Sequence, residues 1–455
     1  MNKSIDKLAK IFKEKNAELY LVGGAVRDIV LEQIPHDYDF ATNLIPEQTK
    51  ELLAKNNIFY TNVGEQYGTI VAHIDGEEYE ITTYRKDKDY EDGRHPSEIT
   101  YASNIVEDLS RRDFTMNAMA KDMFSGEIID PFNGQEDLKR KQLRFVGDAQ
   151  QRIEEDALRI LRAIRFAIKY DLSIDSKTEG LLKENAPTLS NVSWERKGQE
   201  LAKILECNKP ISKVFKAMPE VVYEIIPELK PCFYCSQVNP YHKHNVYDHI
   251  LEVVDASDTN KFEIKMAALL HDIGKPVVKT IGDDLYEHFK GHPVESKRIA
   301  EDVLKRLKYP KKVSNYIETL VEIHDINFFQ TEKQLNRAIY NYGEDIMKDL
   351  VILQKADLSD HIIPPDMSEQ KKAAWFTSQE KIEEMFKNIK SKHNTLTTKG
   401  LALNGYDFMQ MGYVGAEIGE IQRYLLDAVL DEKVDNMRED LIAFLLSERE
   451  EEIDR

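Results

Sequence analysis

A chain of 455 residues with 42% hydrophobic residues has room for two to four domains, and its formal charge of −19 excludes a protein that coats nucleic acid indiscriminately. Three cysteines (Cys207, Cys232 and Cys235) are too few for a disulfide framework and suit a reducing cytoplasm, with Cys232 and Cys235 a lone CxxC that fits core thiols better than zinc. No apolar run is long enough to span a bilayer, and Met1-Asn2-Lys3-Ser4 is not expected to open a signal peptide.

The first informative stretch runs from Leu19 to Thr42. Leu19 to Val22 suits a short buried strand, Gly23-Gly24 a tight turn, and Ala25 to Glu32 a helix. A glycine pair at a strand-to-helix turn lets backbone N–H groups approach a phosphate, and Arg27 could add a bidentate contact. Pro35 ends that helix, and Asp37 to Phe40 reads as a second strand carrying Asp37 and Asp39 on one face. Two carboxylates near a phosphate cradle are hard oxygen ligands suited to Mg²⁺ and to a two-metal attack on phosphorus. Separately, each of these words also fits an ordinary turn or a polar strand end.

Further β-like runs follow at Thr69–His73, Glu78–Thr83 and Glu127–Asp130, and Glu80 could add a third carboxylate to the same site. The charged segment from Arg85 to Thr100, broken by Gly93 and Pro96, reads as a surface loop or a functional lid. Next comes Arg111-Arg112-Asp113, which could clamp a triphosphate and bond a ribose hydroxyl, or could be a basic turn before an N-cap at Asp113.

From about Asp137 helical periodicity takes over almost to the end. Nine basic residues between Leu138 and Lys169 face four acids, a strip that a polyanion could use or that could be a solvated helix face. Within it, Arg152 to Arg165 is expected as one helix with Glu155, Arg159 and Arg162 on one face and Asp156 at its margin. Those residues could form an ion-pair ladder. Alternatively, one Asp and one Arg could accept cytosine and adenine, which pair an amino donor with a ring-nitrogen acceptor, and reject uracil and guanine.

GGAVRD, the following DYD, RRDFTMNAMA, DPFNGQEDL and EEDALRILRAIRF occur in that order over roughly the first 170 residues. Together they resemble the class II tRNA nucleotidyltransferase and poly(A) polymerase family of the polymerase-β-like superfamily. The resemblance implies an α+β nucleotidyltransferase head followed by an all-α neck, body and tail that grip tRNA. It implies Asp37 and Asp39 as Mg²⁺ ligands, Gly24, Arg27, Arg112 and Asp113 as nucleotide contacts, and Asp156 and Arg159 as an amino-acid template with Arg162 and Arg165 nearby. An intact Arg85–Thr100 loop favours adding CCA or A over adding CC. Leu401 to Leu445 resembles the family tail, and the acidic end, expected to fray from Glu448, speaks against a poly(A) polymerase.

Eight of twelve histidines fall between His242 and His361. His249, His271-Asp272, His292, His324 and Asp357 come from separate predicted helices, as a bundle metal site requires. HDIGK at 271–275 resembles the HD phosphohydrolase domain. That resemblance implies His249, His271, Asp272 and Asp357 as ligands of a divalent transition metal, His292 and His324 for a second ion, and Lys275 beside a phosphate.

The resulting expectation is a cytoplasmic enzyme with a head at 1–136, a neck at 137–230, an HD domain at 231–365 and a helical tail at 366–455. It would add C, C and A to tRNA from CTP and ATP, with no membrane partner and a homo-oligomer left open. Adding A alone, making poly(A), HD hydrolysis as the main activity, and a silent RNA-binding module are the alternatives.

Overall fold

The computed structural model describes residues 3–88, 98–362, 379–392 and 398–453. The chain forms two compact units, residues 1–230 with 306–309 and residues 231–305 with 310–455.

The first unit opens with helix α1 (Lys3–Glu14), whose Ile5, Leu8, Ile11 and Phe12 recur at helical spacing and are buried. Strand β1 (Leu19–Val22), helix α2 (Gly24–Val30), strand β2 (Asp39–Thr42) and helix α3 (Pro46–Lys55) come next. Then follow β3 (Phe59–Thr61), β4 (Thr69–Ile74), β5 (Glu77–Thr83), β6 (Arg85–Lys88), β7 (Glu98–Tyr101), α4 (Ile105–Ser110), β8 (Ala120–Asp122) and β9 (Ile128–Ile129). Seven strands make one sheet in the order β3-β4-β5-β2-β1-β8-β9, while β6 and β7 pair apart from it. The β4–β5 hairpin turns on Asp75 and Gly76, both at positive φ, as a two-residue Asp-Gly turn demands.

Alternation along β5 puts Tyr79, Ile81 and Thr83 inside and leaves Glu78 and Glu80 outside. Only β2 and β5 run parallel within the sheet, with Asp39 opposite Glu80; on its other side Asp39 lies opposite Val22 of β1. The second strand therefore starts at Asp39, two residues later than its sequence suggests. Beyond Val22 the chain turns at Gly23 into α2, so β1 offers no ladder partner to Asp37. Of the charged Arg85–Thr100 stretch, β6 and β7 form a hairpin and residues 89–97 lie outside the described residues.

Helices α5 (Gly134–Lys139), α6 (Ala149–Glu155), α7 (Leu158–Tyr170), α8 (Ser176–Glu184), α9 (Trp194–Leu205), α10 (Ser212–Ala217), α11 (Pro219–Tyr223) and α12 (Leu229–Phe233) continue the chain. The single helix expected over Arg152–Arg165 is two. Asp156 is extended at φ −152°, and its carboxylate accepts the Leu158 N–H at 3.0 Å. A short acidic side chain offers the backbone this alternative bond, breaking α6 and starting α7. Asp137 sits within α5, buried, and accepts from Thr115 Oγ1 at 2.6 Å and Arg144 Nε at 2.9 Å.

The second unit holds α13 (Val246–Ala256), α14 (Phe262–Leu270), α15 (Lys275–Val278), β10 (Thr280–Ile281), β11 (Glu287–His288), α16 (His292–Arg306), α17 (Lys311–Ile323), α18 (Glu332–Tyr342) and α19 (Glu344–Ser359). The second half of α14, Met266 to Leu270, is wholly apolar and fully buried against α13, α17 and α19. The β10–β11 hairpin interrupts what periodicity alone reads as purely helical. Cys232 and Cys235 are buried thiols outside any disulfide, and Cys232 Sγ lies 3.8 Å from the Ile273 carbonyl.

Toward the end, Leu403, Phe408, Leu425, Leu426 and Leu441 form a core of their own. Asn436 fastens it, accepting the Ala402 N–H at 2.9 Å and donating to the Gly400 carbonyl at 3.1 Å. The last helix runs from Arg438 to Ile453, past the point where fraying is expected. Pro364-Pro365 lies outside the described residues.

Candidate active site and candidate metal centre

In the head, the sheet register places Asp39 beside the last residue of β1, one residue short of the glycine turn. Gly23 has φ +69°, a left-handed conformation that glycine adopts without strain, and a Cβ there would lie 2.8 Å from Arg112 Nη1. A Cβ on Gly24 would meet Arg27 Nη2 at 3.3 Å. Two guanidinium groups thus line a turn where side chains are missing, which is a cradle for an anion.

Asp37, Asp39 and Glu80 crowd one edge of this cradle. Asp39 reaches solvent, yet the surrounding chain raises its pKa; Arg112 opposes the rise and Asp37 adds to it. Glu80 is raised too, by burial first and then by Asp39 and Asp37. Carboxylates that repel one another beside an arginine form a set that a hard cation would relieve. Among the described residues these three do not bring their oxygens within 4.8 Å of one another as a triplet. They fit Mg²⁺ as a partial ligand set completed by water and a polyphosphate, the manner usual for this ion.

Behind the turn runs a polar network that sequence reasoning missed. Arg27 is buried; its Nη1 donates to Asn117 Oδ1 at 2.7 Å and its Nε to Asp28 at 2.9 Å, with its guanidinium 4.5 Å from the Tyr170 ring centre. Asn117 donates to Asp113 at 3.3 Å, and Asp113 receives Arg162 Nε at 2.7 Å. Burial alone would raise the Asp113 pKa, but Arg162 holds it below the usual carboxylate range. Asp108, also buried, is likewise held low by Arg111 and Arg112 against its own desolvation. Asp113 is therefore no helix N-cap: the short helix after it begins beyond Phe114. Asn117 stands in the RRDFTMN word, where a polar residue amid apolar neighbours was the available signal.

Around the α6–α7 break, Arg159 is buried and donates to Glu155 at 2.5 Å and to the Arg152 carbonyl at 2.7 Å. Asp156 Oδ2 accepts Arg196 Nη2 of α9 at 2.7 Å, and Arg165 Nε meets Glu200 of the same helix at 2.7 Å. The ladder expected along one helix face is thus partly redrawn: Glu155 takes Arg159 across the break, while Arg162 leaves for Asp113. Arg140, Lys141, Arg144, Arg152, Arg159, Arg162 and Arg165 of the basic strip each have an acidic partner; Arg152, Arg159 and Arg165 are largely buried in those pairs, whereas Arg140, Lys141 and Arg144 stay on a solvated face.

In the second unit, α14 ends by delivering His271 and Asp272 into the middle of the bundle. His249 Nε2 lies 3.3 Å from Asp272 Oδ2 and 3.0 Å from Asp357 Oδ1, and His271 Nε2 lies 3.3 Å from the same Asp272 oxygen. On the other side of Asp272, His292 Nε2 stands 3.1 Å and His324 Nε2 3.7 Å from Oδ1. Each of these rings is tied from behind. Nδ1 of His271, His292 and His324 donates to the carbonyls of Ala268, Phe289 and Val321 at 2.8, 3.0 and 2.7 Å, and Nδ1 of His249 to Asp360 at 2.9 Å. A carbonyl only accepts, so Nδ1 carries the proton and Nε2 presents a lone pair inward, the arrangement of metal-ligating histidines.

The two Nε2 atoms of His292 and His324 face each other at 3.1 Å, which needs a proton or a cation between them. His271 Nε2 and Asp272 Oδ1 are buried without a hydrogen-bond partner, and His249 Nε2 and Asp272 Oδ2, each close to an opposite charge, make no well-aligned hydrogen bond. Orphaned donor-set atoms converging on one point are the mark of a metal site. Two ligand triplets result, His249–His271–Asp272 and Asp272–His292–His324, sharing Asp272 as a bridge. Burial opposes the charge on His249, but Asp272, Asp357 and Asp360 push its pKa up to about 10, so without an ion its Nε2 also holds a proton, one that a metal would displace. Burial wins at His271, whose pKa falls. His242 is driven down to about 3, by burial first and then by Lys275, His361 and His249. Asp360, three residues past Asp357 on the next helical turn, and His242 and His361 were not singled out from sequence.

A Gly-Gly turn lined by two arginines, beside Asp39 and Glu80 on adjacent parallel strands of a mixed sheet, has the make-up of a nucleotidyltransferase head, and the bundle that of an HD-type centre. Comparison with known proteins agrees. A family model described as "Poly A polymerase head domain" matches residues 19–144, "Probable RNA and SrmB- binding site of polymerase A" matches 171–231, and "HD domain" matches 241–361. The chain thus carries a region matching the poly(A) polymerase head, a region matching the RNA-binding site of such polymerases, and an HD domain.

It is 42% identical over 210 residues to the CCA-adding enzyme of Lactobacillus helveticus, covering 44% of this chain and 51% of the relative. It is 42% identical over 231 residues to that of Streptococcus pyogenes serotype M5, covering 50% and 55%. The chain thus spans about half the length of these relatives. The crystal structure of the Bacillus stearothermophilus CCA-adding enzyme in complex with CTP superposes with a TM-score of 0.70 at 25% identity over 100% of both chains. The Thermotoga maritima CCA-adding enzyme complexed with tRNA shares the fold, with a TM-score of 0.58 at 22% identity over 97% of this chain and 94% of that one. Among the described residues, no helix is long and apolar enough to cross a membrane.

Proposed function

We propose that this chain is a cytoplasmic, Mg²⁺-dependent CCA-adding tRNA nucleotidyltransferase, using CTP and ATP to extend the 3′ end of tRNA without a nucleic-acid template. The observation that carries the reading is the register of Asp39, flanked by Val22 at the glycine turn and by Glu80, with Arg112 against Gly23. The tRNA 3′-hydroxyl attacks the α-phosphorus and pyrophosphate leaves. Asp37 and Asp39 would hold Mg²⁺, which supplies activation of the hydroxyl and neutralises the leaving group when bound. Gly24, Arg27 and Arg112 would receive the triphosphate, and Asp113 would hold the ribose, kept in place by Arg162. Asp156 and Arg159, the one clamped by Arg196 and the other by Glu155, would read the base, with Arg162 and Arg165 supporting that wall.

We read residues 1–136 as the head, 137–230 as the neck, 231–365 as the HD domain and 366–455 as the tail. Incubating the protein with tRNA ending at its discriminator base, with each NTP singly and with CTP plus ATP, tests the reading. Addition of C, C and then A supports it, addition of A alone moves it to an A-adding enzyme, and a long A tract moves it to a poly(A) polymerase.

The orphaned atoms of His249, His271 and Asp272 favour a second activity, metal-dependent hydrolysis of a phosphate ester. His249, His271, Asp272 and Asp357 would hold one divalent transition metal ion and His292 and His324, with Asp272, another. Phosphate release that requires added metal and disappears in His271→Ala would establish it; release untouched by that change would exclude it.

A further inference from the structure

We propose that His242 is a substrate-binding residue of the HD centre, placed to hydrogen-bond the phosphoryl oxygens of a phosphate ester; the inference rests on the hydrolytic reading of that centre. The four histidines of the two ligand triplets each tie Nδ1 to a carbonyl or to Asp360 and turn Nε2 inward. His242 does not follow that pattern. Its Nδ1 is buried with no hydrogen-bond partner, and its ring centre lies 5.3 Å from that of His249 and 4.5 Å from that of His361.

This places it on the Asp357 flank of the centre, where His361 Nδ1 stands 4.0 Å from Asp357 Oδ1, and away from the flank that His292 and His324 supply. A buried polar atom without a partner costs free energy unless a ligand completes it. His242 also belongs to neither ligand triplet.

Its backbone is held for such a task. The N–H groups of Tyr241 and His242 both donate to Asn239 Oδ1, at 2.9 and 3.2 Å, and the Tyr241 carbonyl receives Ile362 N–H at 2.7 Å. That last bond fixes the loop to the end of α19, the helix that carries Asp357. A site residue locked by its supporting chain contributes binding without paying to order itself. The ligand class follows from the neighbours. Lys275 Nζ lies 2.6 Å from Asp272 Oδ2 and 2.8 Å from Gln237 Oε1, so an ammonium and the unpartnered nitrogen of His242 stand beside acids that metal ions would neutralise. Donors facing a cationic centre suit phosphoryl oxygens, as a phosphate mono- or diester presents them.

The test titrates inorganic phosphate into the manganese-loaded full chain by calorimetry, taking the heat that is lost in His271→Ala as binding at this centre. His242→Ala should weaken that binding about tenfold, the scale of one charge-assisted hydrogen bond, with manganese content and melting temperature unchanged. His242→Asn, which keeps an N–H donor, should recover part of it. Unchanged phosphate affinity in His242→Ala would overturn the proposal, as would loss of manganese in both variants or no His271-dependent phosphate binding in the parent. Hydrolysis of bis-p-nitrophenyl phosphate is followed in parallel. If phosphate binding depends on His242 and nothing is hydrolysed, the hydrolytic reading fails while the binding role stands.

Discussion

Asp39 and Glu80 stand opposite each other on the parallel pair β2 and β5, both with raised pKa values, and Asp39 contributes to the rise at Glu80. Asp37 adds to both. An acid held above its unfolded pKa makes the folded state lose stability as pH rises through the carboxylate range.

Asp39→Asn should therefore melt no lower than the parent at pH 7 in the absence of divalent ions. Incorporation of CTP and ATP should fall together by roughly 10²–10³-fold or more, the scale of removing charge stabilisation from a transition state. The parent should also gain melting temperature on adding Mg²⁺, and the variant should gain less. Scanning calorimetry with and without Mg²⁺, beside a labelled-nucleotide assay, reads all three; retained incorporation would remove Asp39 from the chemistry.

Replacing Gly23 with alanine asks the turn to hold φ +69° with a Cβ only 2.8 Å from Arg112 Nη1. At φ +69° and ψ −132° the backbone lies in a region almost confined to glycine, which costs another residue about 1–3 kcal/mol, and the arginine must move. If one charge-assisted phosphate contact goes with it, KM for CTP and ATP should rise by roughly tenfold for both nucleotides alike. A change confined to one nucleotide would place the turn against the base instead.

The buried pair Asp113–Arg162 carries a pH signature. Asp113 is held below its unfolded pKa, so its stabilisation is present above about pH 4 and is lost as pH falls through the folded value. Asp113→Asn should cost about 3 kcal/mol at pH 7, and the gap to the parent should narrow on acidification. Urea unfolding at pH 7 and pH 3.5 checks this; an equal gap at both would refute the assignment.

Base choice should depend on Asp156 and Arg159. Asp156→Ala or Arg159→Ala should raise UTP and GTP incorporation relative to CTP and ATP by roughly tenfold or more, with little change in KM for the correct nucleotides. Arg196→Ala should act in the same direction but more weakly, because it frees the Asp156 carboxylate without removing it. Competition assays with paired nucleotides measure the ratio, and unchanged fidelity in all three would dismiss the template.

Metal removal should be visible in the second unit without any activity assay. A site that binds the folded state adds about 2.7 kcal/mol at a hundredfold excess over Kd. Chelation should therefore lower the melting temperature of the parent and leave that of His271→Ala unchanged. Equal sensitivity in both would mean that His271 holds no ion.

Much of this was legible along the chain because the informative residues are close in sequence. A strand, a glycine pair, a short helix and an acidic strand end fall within Leu19–Thr42, and local patterning determines each. HDIGK was likewise readable, because the apolar run Met266–Leu270 directly before it reads as a buried helix. The helix break at Asp156 was not, since helical periodicity continues through it and only a side-chain bond to Leu158 N–H interrupts the ladder.

The sequence by itself determined the parts: which acids, arginines and histidines exist, and that a mixed head precedes a helical bundle. Only the tertiary structure decided their partners. Arg162 left its expected helix-face neighbours for Asp113, forty-nine residues away, and Asp156 took Arg196. Asp360 locked His249 from behind across 111 residues. The reason is physical. Strand and helix periods are local properties, whereas a buried charge is satisfied by whichever opposite charge the fold brings within hydrogen-bond reach, and sequence distance has no bearing on that choice.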